Sequence, residues 1–425
     1  MVKIILLVLF YFLFPLVIIF MSNRWTIIQK LGTIVLAYLF GLILGSSGLL
    51  PRGSEAYKEA SQGKPPIETK VLEQLITAGK LPESDRFVNQ VAQAQDLIPS
   101  LIVPIAFPLL LFSMNIRRWL KYAGKGFVSV VLALISGVVM VTIGYFIWKN
   151  SIPESWKLAG MFEGIYAGAT ANFVALKLAL NVDPNLFILV NTYDMLVGAF
   201  LVLFFITLAP KLFRMILPSY TSDKGIKVED EGLIAKETEN IEDFSGMFKK
   251  GTFLPLLKAL GLSVLIVAIS AGLSMLLPGL PQMVVVILSV TTLAILASLI
   301  GSVNRIEKTF QLGMYLILVF SLVLASMADL KAIFKIGMIN LILFITWCYF
   351  GSLILHLILA KIFRVDADNF LITATAFIFS PPFVPLVASK LQNRDVIVTG
   401  ITGGIIGFVL GNYFGIILAY AVKGL

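Results

Sequence analysis

Cysteine, histidine and charge are all scarce in this chain: of 425 residues one is cysteine, one is histidine and 13% are charged. The lone cysteine, Cys348, lies inside an apolar run, which excludes a disulfide framework or a cysteine metal cluster within one chain. The lone histidine, His356, rules out an HExxH zinc site and reads as a helix-packing residue. No GxSxG and no GxxxxGK[ST] occurs either, so nucleophilic hydrolysis and nucleotide binding lack their constellations. The residues therefore point away from an enzyme and call for no cofactor.

The shortage of charge identifies the solvent. Hydrophobic residues make up 58% of the chain and mean hydropathy is +0.95, whereas soluble domains run about 45–50% apolar and about 25% charged. The apolar material falls into twelve runs near the roughly 20 residues that a membrane-crossing helix needs: 2–20, 31–50, 97–114, 126–148, 158–180, 185–210, 253–277, 282–300, 310–327, 336–360, 368–390 and 397–422. The first has a basic residue, Lys3, before it, but it is a full span long and Ser22-Asn23-Arg24-Trp25 is no cleavage site. It reads as a retained helix. The net charge of +9 sits mainly in short loops beside apolar runs, the pattern of membrane topology rather than of nucleic-acid binding.

Two stretches interrupt the hydrophobic pattern. In residues 51–96, Val71, Leu72, Leu75 and Ile76, then Phe87, Val88 and Val91, have spacings that suit short amphipathic helices on the membrane surface or in a cap. The second, 211–252, alternates acids and bases and divides the chain into a first membrane repeat (1–210, with 51–96 as an extramembrane insertion) and a second (253–425). The halves look related. Ser113-Met114 matches Ser326-Met327, and Asn172-Phe173-Val174-Ala175-Leu176 matches Pro382-Phe383-Val384-Pro385-Leu386, both at offsets of about 210 positions.

Charge then selects a topology. If all twelve runs crossed, the basic loop Arg117, Arg118, Lys121, Lys125 and the linker bases Lys211, Arg214, Lys249, Lys250 would lie on opposite sides, against the positive-inside bias. One run between them must turn back. Run 158–180 is the candidate, because Gly164, Gly168, Ala169, Thr170, Ala171 and Asn172 interrupt its middle. Its mate, 368–390, carries Ser380-Pro381-Pro382, and consecutive prolines deny a helix both amide donors and geometry. The expected fold is thus an all-α polytopic membrane protein with two inverted repeats, about ten crossing helices and two broken or re-entrant hairpins. Inverted repeats with broken helices mark secondary transporters. A discontinuous crossing helix is the competing geometry at either break.

Backbone breaks at membrane depth are tolerated only beside protein or a water-filled cavity, so Gly168, Thr170 and Asn172 at the first and Ser380, Pro381 and Pro382 at the second are candidate solute contacts, or else packing kinks. Asp194, in Asn191-Thr192-Tyr193-Asp194, is an intramembrane carboxylate, functional by default, which binds a cation, carries a proton or simply pairs with Lys177. Glu163 is similar but nearer a run's edge. Thr170, Asn172 and Asp194, with Thr192 nearby, would offer sodium its oxygens. Gly403, Gly407, Gly411 and Gly415 recur every fourth residue, as do Gly160, Gly164 and Gly168, a spacing that lets membrane helices approach closely. Asn412 lies beside that stripe as a further polar contact.

The stretch Glu163–Phe205, beginning EGIYAGATANF, and the stretch Phe379–Tyr420, with FSPPF and GNYFG, resemble the domain-of-unknown-function 819 membrane family. That family is similar to the bile-acid and sodium/proton carriers with inverted repeats. The resemblance implies transport of a small solute by an elevator movement in a bacterial cytoplasmic membrane, and it names no substrate. Where relatives show two glycines before Thr-x-Asn, this chain has Gly168-Ala169, which counts against a ligand needing the closest backbone approach. The expected function is a carrier of a small anionic organic solute, coupled to Na+ or H+; a channel or a membrane-embedded enzyme is the alternative. The expected partners are the bilayer, the solute and a second copy of the chain, with no nucleic acid.

The charge argument places linker 211–252 in the cytoplasm. With Ser222→Cys in a variant lacking Cys348, an impermeant thiol reagent outside intact cells should leave the cysteine unmodified and label it after permeabilisation. Labelling in intact cells would overturn the hairpin topology.

Overall fold

The computed structural model describes residues 2–25, 33–61, 65–113, 126–220, 243–247, 249–327, 338–379, 383–393 and 395–424, with the side chains at 168–170, 250, 338, 385, 389 and 398 outside the described set. Every regular element among them is helical. In chain order these are α1 Val2–Arg24, α2 Thr33–Ser46, α3 Glu55–Ala60, α4 Thr69–Thr77, α5 Ser84–Phe112, α6 Gly126–Trp148, α7 Ser155–Ala179, α8 Pro184–Thr207, α9 Ala209–Ile216, α10 Lys250–Met275, α11 Gln282–Ser298, α12 Thr309–Ser326, α13 Met338–Ile362, α14 Ala367–Phe379, α15 Val384–Leu391 and α16 Val396–Lys423, with one further turn at Gly301–Asn304. Among the described residues eight helices are long and apolar enough to cross a membrane: α1, α5, α6, α8, α10, α12, α13 and α16. The run at 31–50 forms a helix of only 14 described residues, about 21 Å long against a hydrocarbon core of about 30 Å.

The helices gather into two compact units, and each draws on both sides of the linker. The first comprises Met1–Ala106, Asp183–Leu189 and Met314–Ile336. At its centre Gln95 Nε2 donates to Tyr11 Oη (2.9 Å) and to Ser326 Oγ (3.0 Å), and the two hydroxyls stand 2.7 Å apart. This ties α1, α5 and α12 through buried polar atoms that satisfy one another. A small cap precedes α5: Tyr57, Ile67, Leu72 and Leu81 form its core, and Asn89 clamps Ile67 by accepting from its N–H (2.8 Å) and donating to its carbonyl (2.9 Å). Arg86 pairs with Glu73 at 2.8 Å; hydrogen bonding from that guanidinium holds the Glu73 carboxyl below its usual range. Phe87, Val88 and Val91 belong to no separate short helix. They begin the 29-residue α5, which runs through Pro99, Pro104 and Pro108 into its apolar half.

The second unit, Phe107–Val182, Val190–Gly313 and Gly337–Leu425, holds both expected hairpins. Ser155–Ala179 is helical along both arms, and the segment folds back between them. A straight helix would separate residues 157 and 181 by about 36 Å, whereas Lys157 Nζ donates to Asn181 O at 2.7 Å. A Cβ on Gly160 would stand 3.2 Å from Leu180, and one on Gly164 would strike Leu176. These pairs converge on residues 168–171 as the place of return. The second hairpin, α14 and α15, is closed at its base by Arg214 on α9. The Arg214 guanidinium donates to both Asp368 oxygens (2.9 and 3.0 Å) and to Leu391 O (2.8 Å), and Asn393 Nδ2 donates to Asp368 (2.9 Å). One arginine thus holds the first turn of α14 and the last residue of α15, so the first residues of the linker stretch are structural. At the other end of that stretch Asp243 accepts from Ser245 and from Lys308 (3.0 Å), bonds that hold its carboxyl down at about 2.

Helix α16 runs in the groove of both hairpins. Its glycines stand level with successive residues of the first: a Cβ on Gly415 would lie 2.6 Å from Gly160 O and 2.5 Å from Leu176, one on Gly411 would lie 3.1 Å from Gly164 O and strike Asn172, and one on Gly407 would strike Ala167 O. Farther toward its amino end, a Cβ on Gly400 would meet Ile372 (2.7 Å) and Val384 (2.8 Å), one from each arm of the second hairpin. The small residues thus read correctly as a packing stripe, and the contact buries two folded-back backbones where lipid could not satisfy them. Gly415→Val should lower thermal stability of the detergent-solubilised protein by about 2 kcal/mol, the scale of an overpacked core. Gly272→Val on α10, with nothing within 4 Å, is the control that should melt with the parent; equal effects would sink this packing account.

Candidate functional site

The two hairpins open at opposite ends of α16. Trp156 and Lys423 meet at the base of the first, with Lys423 Nζ 4.5 Å from the indole centroid, while Arg214 and Asn393 close the second near residue 396. Their inner ends approach at the middle of α16, where Gly407 faces both Ala167 O and the Phe377 ring (3.5 Å from a Cβ there). Tyr166 and Phe377 bring the two hairpins into ring contact at 5.9 Å. Ser380, Pro381 and Pro382 lie outside the described residues, as do the side chains of Gly168 and Thr170.

Buried polar atoms without partners mark this region. Asn172, in the returning arm, donates through Nδ2 to Phe408 O (2.9 Å), and its Oδ1 has no partner among the described residues. Asn412, one turn farther along α16, donates to Thr291 Oγ1 (3.1 Å) and likewise leaves Oδ1 open. Glu163 is 0% exposed and both its carboxylate oxygens are unpaired. Buried polar atoms are nearly always bonded, which makes these three side chains the candidates for contact with a ligand.

Asp194 is placed differently. It accepts a short hydrogen bond from Tyr349 Oη of α13, and the Tyr349 ring packs edge-on against Phe162 of the first hairpin at 5.1 Å. Thr192 is exposed on α8, and residues two apart on a helix do not face each other, so the two do not share one side. Of the oxygen set Thr170, Asn172, Asp194, Asn172 sits against α16 and Asp194 against α13, while the Thr170 side chain lies outside the described residues. Among the described residues no group of three or more His, Cys, Asp or Glu could hold a metal ion. His356 is a packing residue, with Nε2 at 3.2 Å from Ser129 Oγ and its ring 4.5 Å from Phe370. Sequence reading missed Tyr349 and Tyr166. Their spacing from candidate carboxylates, i to i+3 for Glu163–Tyr166, was the available signal for one, while Tyr349 is distant in sequence from Asp194.

A family model described as "Protein of unknown function (DUF819)" matches residues 86–425. The chain is also similar to "Uncharacterized membrane protein YjcL" of Bacillus subtilis (strain 168), with 24% identity over 329 residues, covering 75% of this chain and 81% of that one. The match begins inside α5 and includes both hairpins and α16.

A double-mutant cycle tests the Tyr349–Asp194 bond. Tyr349→Phe should cost about 1–3 kcal/mol of unfolding free energy, as expected when a buried acceptor loses its donor. In an Asp194→Asn background the same change should cost about 1 kcal/mol less. Strict additivity in denaturant titrations would show that the hydroxyl does not hold the carboxylate.

Proposed function

The chain belongs to the DUF819 family of membrane proteins, and from that premise and its two opposed hairpins we propose that it is a secondary active transporter of a small anionic organic solute, coupled to sodium or protons. The observation that carries this reading is the meeting of the folded-back ends against Gly407. Carriers with inverted repeats bind solute where broken helices meet near the membrane centre, and here the hairpins enter from opposite ends of one 28-residue helix. On this reading run 158–180 is the inverted counterpart of run 368–390, and the wider likeness is to bile-acid and sodium/proton carriers.

The returning arms give the anion preference. On this reading each begins near the meeting place, so its first amides and the positive end of its dipole face inward. The open Oδ1 atoms of Asn172 and Asn412 supply acceptors for a cation or for donor groups of the solute. An elevator movement would carry the unit that contains both hairpins, in a bacterial cytoplasmic membrane and in a homodimer.

The experiment is uptake into proteoliposomes of a labelled panel of small carboxylates, amino acids and short peptides, under an inward sodium gradient and separately under a pH gradient. At least one carboxylate should enter with saturable, gradient-dependent kinetics, and Asn172→Ala should raise its half-saturating concentration severalfold. Flux linear in concentration and indifferent to both gradients would favour a channel and end the carrier reading.

A further inference from the structure

Among the described residues Glu163 is the carboxylate that is fully buried with neither oxygen hydrogen-bonded. It lies on the first arm of the α7 hairpin, about one turn before the fold-back. A Cβ on Gly137 of α6 would stand 3.0 Å from its Oε2 and 2.6 Å from the Tyr166 ring, so the glycine makes the room in which the carboxylate and the ring sit together. Helix α13 packs beside it, with the Tyr349 ring 5.1 Å from that of Phe162, the residue before Glu163, and the Tyr349 hydroxyl is committed to Asp194. The nearest basic residue of the returning arm, Lys177, reaches neither carboxylate oxygen. Helix α6 carries no charged side chain, α16 carries none between Asp395 and Lys423, and Asp368 on α14 is committed to Arg214. His356 of α13 is bonded to Ser129.

An ionised carboxylate in such surroundings would be a bare charge at membrane depth, an arrangement that persists only with compensation. Among the described residues no side-chain cation supplies it, which leaves a small bound cation as the compensation. Sodium requires a shell of oxygens, whereas among the described residues neither Glu163 oxygen has a polar partner, and what lines it is the Tyr166 ring and Gly137. A proton requires one lone pair, and as a carboxylic acid the group becomes a donor.

We propose that Glu163 is a proton-binding site, which takes a proton from water on a carboxylate oxygen and returns it to water as the first hairpin passes through its cycle. No other bond forms or breaks. The inference rests on the transporter reading and deepens it: the coupling ion is a proton and its carrier is Glu163, beside the place where the solute is bound. Asp194, held by a phenol, orients α8 against α13.

The test is infrared spectroscopy of the purified protein in lipid nanodiscs, titrated with pH. The wild type should show a protonated-carboxyl carbonyl band that fades as pH rises; the band should be absent from Glu163→Gln, displaced in Glu163→Asp and retained in Asp194→Asn. If Glu163→Gln does not fold, the displacement in Glu163→Asp makes the assignment. A band that survives unshifted in the Glu163 variants, one that disappears only in Asp194→Asn, or a wild-type band that never fades while the protein stays folded overturns the proposal. Failure of the carrier reading looks different: a fading Glu163 band with no saturable uptake would sink transport and leave the proton site, and saturable uptake without such a band would do the reverse.

Discussion

Backbone meeting backbone along α16 is the contact on which the second unit depends. A chain that turns back inside a membrane exposes amides and carbonyls that hydrocarbon cannot satisfy. It survives only if protein covers the turn at van der Waals distance. Gly400, Gly407, Gly411 and Gly415 allow this cover, because a Cβ at any of them would meet a residue of one hairpin or the other. The hairpins therefore share one helix as a common wall, and their inner ends come to the same level on it. The location of the candidate site follows from that packing rather than from any single polar residue.

The charged residues divide by depth. At the hairpin bases they are paired: Lys157 with Glu154 at 2.6 Å, and Arg214 with Asp368 at 2.9 Å in a two-pronged geometry that also takes up Leu391 O. The forked Arg214–Asp368 pair fixes angle as well as distance. Around the folded-back ends the polar groups are instead amide oxygens and a carboxylate without partners. Closed ends and an open middle are what a carrier site needs, because the fold is held elsewhere and the binding groups stay free for ligands.

Much of this was legible in the chain. The glycine spacing announced close helix packing, and the positive-inside argument required one run to turn back before any contact was known. The fold-back at 158–180 is marked by contacts between its arms, Lys157 with Asn181 O and Gly164 with Leu176, and small residues let those arms close on each other. Composition could locate the turn but not its local form. The cap was legible only in part: Phe87, Val88 and Val91 have an amphipathic spacing whether they end in a loop or continue into α5, and hydrophobic periodicity carries no information about where a helix stops. Asp194 was visible as an intramembrane acid, whereas its partner Tyr349 lies in another run, and nothing local in sequence pairs residues 155 positions apart.

The contrast between the two acids follows from these positions. Asp194 projects from a helix whose neighbour supplies a hydroxyl, and its hydrogen bond joins α8 to α13. Glu163 projects from a hairpin arm toward a helix that offers a glycine, Gly137, and therefore space instead of a donor. A side chain at Gly137 would press on both the carboxylate and the Tyr166 ring, which in turn touches Phe377 of the second hairpin. One ring, Tyr166, thus stands between the Glu163 carboxylate and the second hairpin. In a carrier, that placement would let the state of the acid bias the opening of the place where solute binds, without any direct contact between the acid and the solute.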